Sequence, residues 1–282
     1  ANLIAVIVAR DAALGFEVRQ EGIAAKAERL TCYGSAATHS SIGKAIDLSG
    51  IGTNALRSIS TDGRGRISIP ALERKIAEDR KNGLTPFLVV ATVGTTDTGA
   101  IDDLDPLAGL CRREKIWLHV DGAYGALAML APDLVPRLKG IERADSIAFD
   151  FHKWGQVPYD AGFILVRDGE WHKQAFDSSA AYLKRKTRGM AAGQPWPCDF
   201  GPDLSRGFHA LKIWFTLKVY GTKAMGAVIS KTCELAGYLK EQILQRSELE
   251  LLAPVELNIV CFRYRCQLSD HINGQIVVHL QE

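Results

Sequence analysis

Two short strings carry most of the chemistry in this 282-residue chain: His119-Val120-Asp121-Gly122-Ala123-Tyr124 and Asp150-Phe151-His152-Lys153-Trp154. Lys153 follows Asp121 by 32 positions, and each ends or follows an apolar run, 116–120 and 147–149. A lysine that loses its proton can hold an aldehyde as a Schiff base. A carboxylate can keep a heteroaromatic nitrogen protonated, which turns the ring into an electron sink. Partial desolvation and nearby cations favour the neutral amine. Pyridoxal phosphate (PLP) makes both demands at once.

The elements that would position these residues alternate along the chain. Strand-like runs lie at 55–60, 86–92, 116–121, 145–151 and 161–166. Helical stretches lie at 70–81, with Pro70 at its first turn, and at 105–115. The run 86–92 is continuously apolar, as expected of a strand buried on both faces. Such alternation predicts an α/β domain with a mostly parallel sheet. Ligands of these sheets sit beyond the carboxyl ends of the strands, where Asp121 and Lys153 fall. From about 170 the character changes. A basic string, 184–188, leads into a Gly/Pro-rich stretch that reads as a mobile loop over 184–206. A helix with an aromatic face follows at 207–221 (Phe208, Ile213, Trp214, Phe215, Tyr220), then a second to about 245. Strand-like segments at 251–254 and 257–263 open a smaller C-terminal domain. The division expected is 1–220 for the large domain and 221–282 for the small one.

Composition narrows the rest. Hydrophobic residues make up 47% and charged residues 23%, with a net charge of +2. That balance gives no footing for nucleic acid or an anionic membrane, and no apolar run reaches a spanning length. The six cysteines form no CxxC pair, which argues against zinc and for free thiols in a reducing cytoplasm. Residues 1–10 read as a helix already under way, and 274–282 as a helix beginning. The expectation is a piece of a longer protein, cut at both ends.

The two opening strings, with Ala91-Thr92-Val93-Gly94-Thr95-Thr96, His39-Ser40-Ser41 and Leu211-Lys212-Ile213-Trp214, stand in the order found in the group II PLP-dependent decarboxylases. The chain resembles that family from residue 1 to about 265, and within it the aromatic-L-amino-acid decarboxylases. The resemblance implies the fold type I architecture, with a seven-stranded type of sheet. It also implies a homodimer with active sites at the subunit interface and an amino-acid substrate. Relatives handle aromatic, acidic and sulfinic amino acids.

Site residues follow from the resemblance, each beside a plainer reading. Lys153 matches the Schiff-base lysine, although lysines after strands are usually solvated. Asp121 matches the partner of the pyridine nitrogen, although it could cap a helix. An unpaired carboxylate after a buried run would be costly, and a protonated ring supplies a partner. Gly122 and Ala123 are small enough to let a flat ring approach. His39 matches a histidine that stacks on the cofactor and touches substrate, although a lone His in a Ser-rich turn is more often structural. Thr96, 25 positions before Asp121, and Thr95 match the cofactor region, although turn chemistry also explains them. His152 and Asp150 flank the lysine. The family usually has Asn at position 150, near the phosphate. A carboxylate there repels phosphate unless cations intervene, so the expectation is either a disturbed phosphate contact or another partner for Asp150.

Two departures bear on the product. The family's phosphate cradle would lie before Ala1. The loop tyrosine that returns a proton to the substrate carbon has no counterpart in 184–206, where Trp196 and Phe200 are the aromatic residues; Tyr182 lies upstream. The leading expectation is decarboxylation of an L-amino acid, aromatic in type, to amine and CO2. The alternatives are an aldehyde synthase on the same scaffold and a non-catalytic PLP-binding fragment.

Overall fold

The computed structural model describes residues 1–27, 29–177, 187–189, 192–193, 195–267 and 269–282. Helix α1 (Asn2–Leu14) leads through two single turns, α2 (Val18–Glu21) and α3 (Ala24–Ala27), into β1 (Leu30–Ser35). Then come α4 (Ser40–Leu48), β2 (Leu56–Ile59), α5 (Ile69–Lys81), β3 (Thr85–Thr92), α6 (Leu104–Glu114) and β4 (Trp117–Asp121). After three short 3-10 turns come β5 (Ser146–Asp150), β6 (Gly162–Val166) and α7 (Gly169–Phe176). The chain continues through α8 (His209–Leu244), β7 (Leu249–Leu251), β8 (Phe262–Tyr264) and α9 (Ser269–Gln281).

The main sheet has the order β2-β1-β3-β4-β5-β6. Its first five strands are parallel and β6 runs antiparallel to β5. Among the described residues it has six strands, against the seven-stranded type that the resemblance implies. The parallel strands β1, β3 and β4 are buried along nearly their whole length. Their runs of Val, Leu and Ala need apolar cover on both faces. One face packs against α5, α6 and the 3-10 turns around Leu127 and Leu138. The other packs against α1 and α4. Val6, Val8 and Ala9 of α1 are therefore enclosed by the chain's own sheet rather than offered to a partner.

The sequence reading placed β2, α5, β3, α6, β4, β5 and β6 within a residue or two. It did not anticipate β1 or α4. Thr31-Cys32-Tyr33-Gly34 lacks a continuous apolar signature, yet its side chains are buried. Tyr33 is accommodated there because its hydroxyl donates to Asp79 at 2.9 Å. The two helices expected at 207–245 form one long element broken at Gly221, whose φ of 75° and ψ of 156° leave the helical region. Ile229 and Leu257, beyond that break, belong to the main core. Of the expected loop, 187–189, 192–193 and 195–206 are described. Tyr182 and 184–186 lie outside the described residues. Pro197–Phe200 forms a 3-10 turn on α7, where His172 lies 2.9 Å from the Phe200 carbonyl.

Candidate active site

Parallel pairing sets the floor of the site. Thr92 and Asp121 are register partners at the carboxyl ends of β3 and β4, and Asp121 in turn is level with Ala148 of β5. A cleft of about 300 Å³ opens over these ends. His39, Thr95, Thr96, Asp121, Ala123 and Lys153 line it, so six of the eight site residues expected from the sequence share one cleft. The other two, Asp150 and His152, sit against its lysine.

Lys153 stands three residues beyond the end of β5, in a tight turn. Phe151 N–H donates to the Ala161 carbonyl at 2.9 Å and Val157 N–H to the Phe151 carbonyl at 3.0 Å, which folds the turn back on the sheet. Gly155 is obligatory there, because a Cβ would lie 2.5 Å from the Phe151 carbonyl oxygen. The ammonium of Lys153 lies 2.9 Å from Asp150 Oδ2. His152 Nε2 lies 3.6 Å from the same oxygen. Its Nδ1 accepts from Ala161 N–H at 3.0 Å, so the ring proton of neutral His152 is on Nε2 and faces Asp150. Asp150 therefore has the other partner that its charge requires.

Asp121 is buried at 4% exposure. Its Oδ1 accepts from Ala123 N–H at 3.2 Å and its Oδ2 from the Asn2 side-chain amide at 2.9 Å. Each oxygen keeps a lone pair for a further donor. Gly122 lets the backbone close behind the acid, since a Cβ would meet that of Ala126 at 2.5 Å. His39 is the N-cap of α4, and its Nδ1 accepts from Ser41 N–H at 3.2 Å. Thr95 does turn chemistry: its hydroxyl lies 2.9 Å from that of Thr98 and accepts from Ala100 N–H at 3.0 Å. Thr96 is exposed on the cleft.

Some lining residues were missed. Thr92 Oγ1 is buried and has no hydrogen-bond partner. Its register with Asp121 was the available signal. Ile259 comes from far along the chain, held by Glu256, which accepts from Ile101 N–H at 2.9 Å and pairs with Arg64. Tyr124 donates to Asn258 at 2.5 Å and packs at a tilt against Trp154, with ring centroids 4.7 Å apart. No local pattern in 256–259 announces a site. Asn2 was also missed, because residues 1–10 read only as an apolar helix already under way.

The residues present fit a flat, cationic aromatic aldehyde. They offer an amine, a buried carboxylate with spare lone pairs, an orphaned hydroxyl on Thr92 and a small wall at Ala123. A fold with a parallel sheet and a lysine and acid at adjacent strand ends defines a PLP-type site. The chain belongs to the family described by the pyridoxal-dependent decarboxylase conserved domain, which matches residues 1–265.

Individual relatives agree with that membership. Aromatic-L-amino-acid decarboxylase of Bacillus atrophaeus is 38% identical over 264 residues, 94% of this chain and 53% of that protein. The crystal structure of Oryza sativa TDC with PLP and tryptamine superposes with a TM-score of 0.90 at 29% identity, covering 99% of this chain and 59% of that one. The structure of Rhodiola rosea 4-hydroxyphenylacetaldehyde synthase superposes with a TM-score of 0.85 at 26% identity, covering 99% and 57%. The chain thus spans little more than half the length of these relatives. Among the described residues no helix is long and apolar enough to cross a membrane.

Proposed function

We propose that this chain carries the cofactor-binding part of a PLP-dependent decarboxylase that converts an L-amino acid, aromatic in type, to its amine and CO2. The observation that carries the reading is the sharing of one cleft by Asp121 and Lys153, at the ends of adjacent strands, in a member of this family. When bound, PLP would supply the electron sink that lets the bond between Cα and the carboxylate break.

The residues divide the remaining work. Lys153 would hold the cofactor covalently until the substrate amine replaces it. Asp121 would keep the ring nitrogen protonated, as an ion pair in a water-poor site favours. His39 would stack over the ring, touch the substrate and return a proton to Cα. Thr96, Thr95 and Ala123 would border the ring. Asp150 and His152 would act on the lysine, the carboxylate pairing with it and the imidazole steadying the carboxylate.

Borohydride treatment of the PLP-loaded chain, followed by peptide mapping, should tag Lys153, and Lys153→Ala should lose the tag. Asp121→Ala should still bind PLP but release CO2 at least about 100-fold more slowly. A tag on another lysine, or near-normal turnover in Asp121→Ala, would overturn the reading. PLP bound at Lys153 with no CO2 release from any amino acid would instead mark a non-catalytic fragment.

A second reading is an aldehyde synthase on the same scaffold. The absence of tyrosine from the sequence of 184–206 favours it, as does the likeness to the Rhodiola rosea enzyme. We further propose a homodimer with shared sites, a cytoplasmic location, and a division into 1–220 and 221–282.

A further inference from the structure

Asn2 occupies the centre of a hydrogen-bond chain whose polarity is fully determined. The Asp121 carboxylate can only accept, so the Asn2 amide must turn its NH2 group toward Oδ2, at 2.9 Å. That orientation points Asn2 Oδ1 at His119 Nε2, 3.0 Å away, which must therefore carry the ring proton. Burial pushes His119 down to about 4, against the pull of the Asp121 charge, so the ring is neutral and its Nδ1 is an acceptor. The Ser146 hydroxyl, 2.9 Å from Nδ1, donates to it and accepts in turn from Trp117 Nε1–H at 2.8 Å. No member of this chain is left with two donors or two acceptors face to face.

The same amide has a second N–H, and it reaches Ser41 Oγ at 2.9 Å. Ser41 Oγ lies 2.8 Å from His39 Nδ1, which also accepts from Ser41 N–H. The Ser41 hydroxyl accordingly donates to Nδ1, and the proton of neutral His39 is on Nε2. One side chain thus links the buried acid of the cleft to the histidine at its rim.

We infer that Asn2 is a positioning residue that holds Asp121 and His39 in one fixed arrangement, an inference that rests on the roles proposed above for those two residues. No other neutral side chain of this size offers an acceptor to His119 while donating to both Asp121 and Ser41. Leucine or alanine at this place would leave His119 Nε2–H and one oxygen of Asp121 short of a partner. Aspartate would set two carboxylates against each other while keeping the shape. Asn2→Asp therefore separates hydrogen-bond polarity from packing, which a purely structural role would not do.

The test uses the whole chain with histidine rings labelled with 15N, first without cofactor and then titrated with PLP. Wild type should show His119 and His39 as neutral rings protonated on Nε2. Asn2→Asp and Asn2→Ala should shift both ring spectra and weaken PLP binding by about ten-fold or more, the size expected of losing a hydrogen bond to a charged group. In Asn2→Asp the loss should recover as pH falls, when the introduced carboxyl takes a proton and can donate to Asp121. Ring spectra and PLP affinity that stay within two-fold of wild type in Asn2→Asp, at every pH, would overturn the inference. If Asn2→Ala does not fold, the near-isosteric Asn2→Asp decides alone. Failure of PLP to bind wild type would sink the proposed function, and the cofactor-free ring spectra would still judge Asn2.

Discussion

Asp150 Oδ2 lies 2.9 Å from Lys153 Nζ, so the carboxylate that replaces the family's usual asparagine is paired with the lysine itself. The pair is within one turn and partly open, with side-chain exposures of 35% for Lys153 and 18% for Asp150. This ion pair must open before the lysine can reach an aldehyde. Asp150→Asn should therefore speed attachment of PLP at neutral pH. Partial exposure limits the gain to about five-fold, the upper range for an open ion pair. Stopped-flow absorbance against PLP concentration measures it, and an unchanged or slower rate would contradict the argument.

The buried His119 makes a statement about acid stability. Its ordinary value is 6.5 and burial lowers it to about 4 in the folded chain. Below 6.5 the unfolded chain takes a proton that the folded chain refuses. This contribution is fully present above about 6.5 and is lost as pH falls toward 4. Asp102, pushed up to about 6 by burial, acts in the opposite direction but is common to any His119 variant. The Tm advantage of wild type over His119→Gln should thus shrink by a few degrees between neutral pH and about 4. A constant difference across that range would contradict it.

Much of this site was legible because parallel sheets put chemistry at predictable strand ends. Asp121 and Lys153 stood out, since each breaks or follows an apolar run. Asn2, Ile259 and Asn258 did not, because their roles depend on which distant segment folds against them. Thr95 shows the opposite limit. It was read both as a cofactor neighbour and as a turn residue, and its hydroxyl closes the turn to Ala100. The strand β1 escaped notice because its polar side chains are satisfied inside the fold, the Thr31 hydroxyl donating to that of Tyr33 at 2.9 Å and Tyr33 to Asp79.

Helix α8 and its N-cap residue Phe208 present Phe208, Trp214, Phe215, Val219 and Tyr220 to solvent, each more than half exposed. A patch of this kind usually marks an interface. The proposed homodimer should form through it. Phe215→Glu should weaken self-association by about 2 kcal/mol or more, roughly thirty-fold, if the ring is central to the interface. Sedimentation over a concentration series reads this directly. A wild-type chain that stays monomeric, or a variant that associates equally well, would remove α8 from the interface.

The product should depend on oxygen. With no tyrosine in 184–206, proton return to Cα would fall to His39 or water and would be slower. In air a measurable share of turnover should then consume O2 and water and yield aldehyde, ammonia and hydrogen peroxide beside CO2. Amine should remain the main product while His39 is present, and His39→Ala should raise the aldehyde share. Clean amine formation in both proteins, with no peroxide, would show that another group supplies the proton.

The cleft draws on the ends of β3 and β4, the N-cap of α4, the turn after β5, and Ile259 beyond α8. Parallel neighbours cannot pair until the crossover between them has closed, so each of these contributions waits on a long loop. None of the segments can form the cleft alone. Its appearance should therefore be a late and cooperative event in folding. PLP capture during refolding would then lag behind the return of helix content, and would report the completed sheet rather than any part of it.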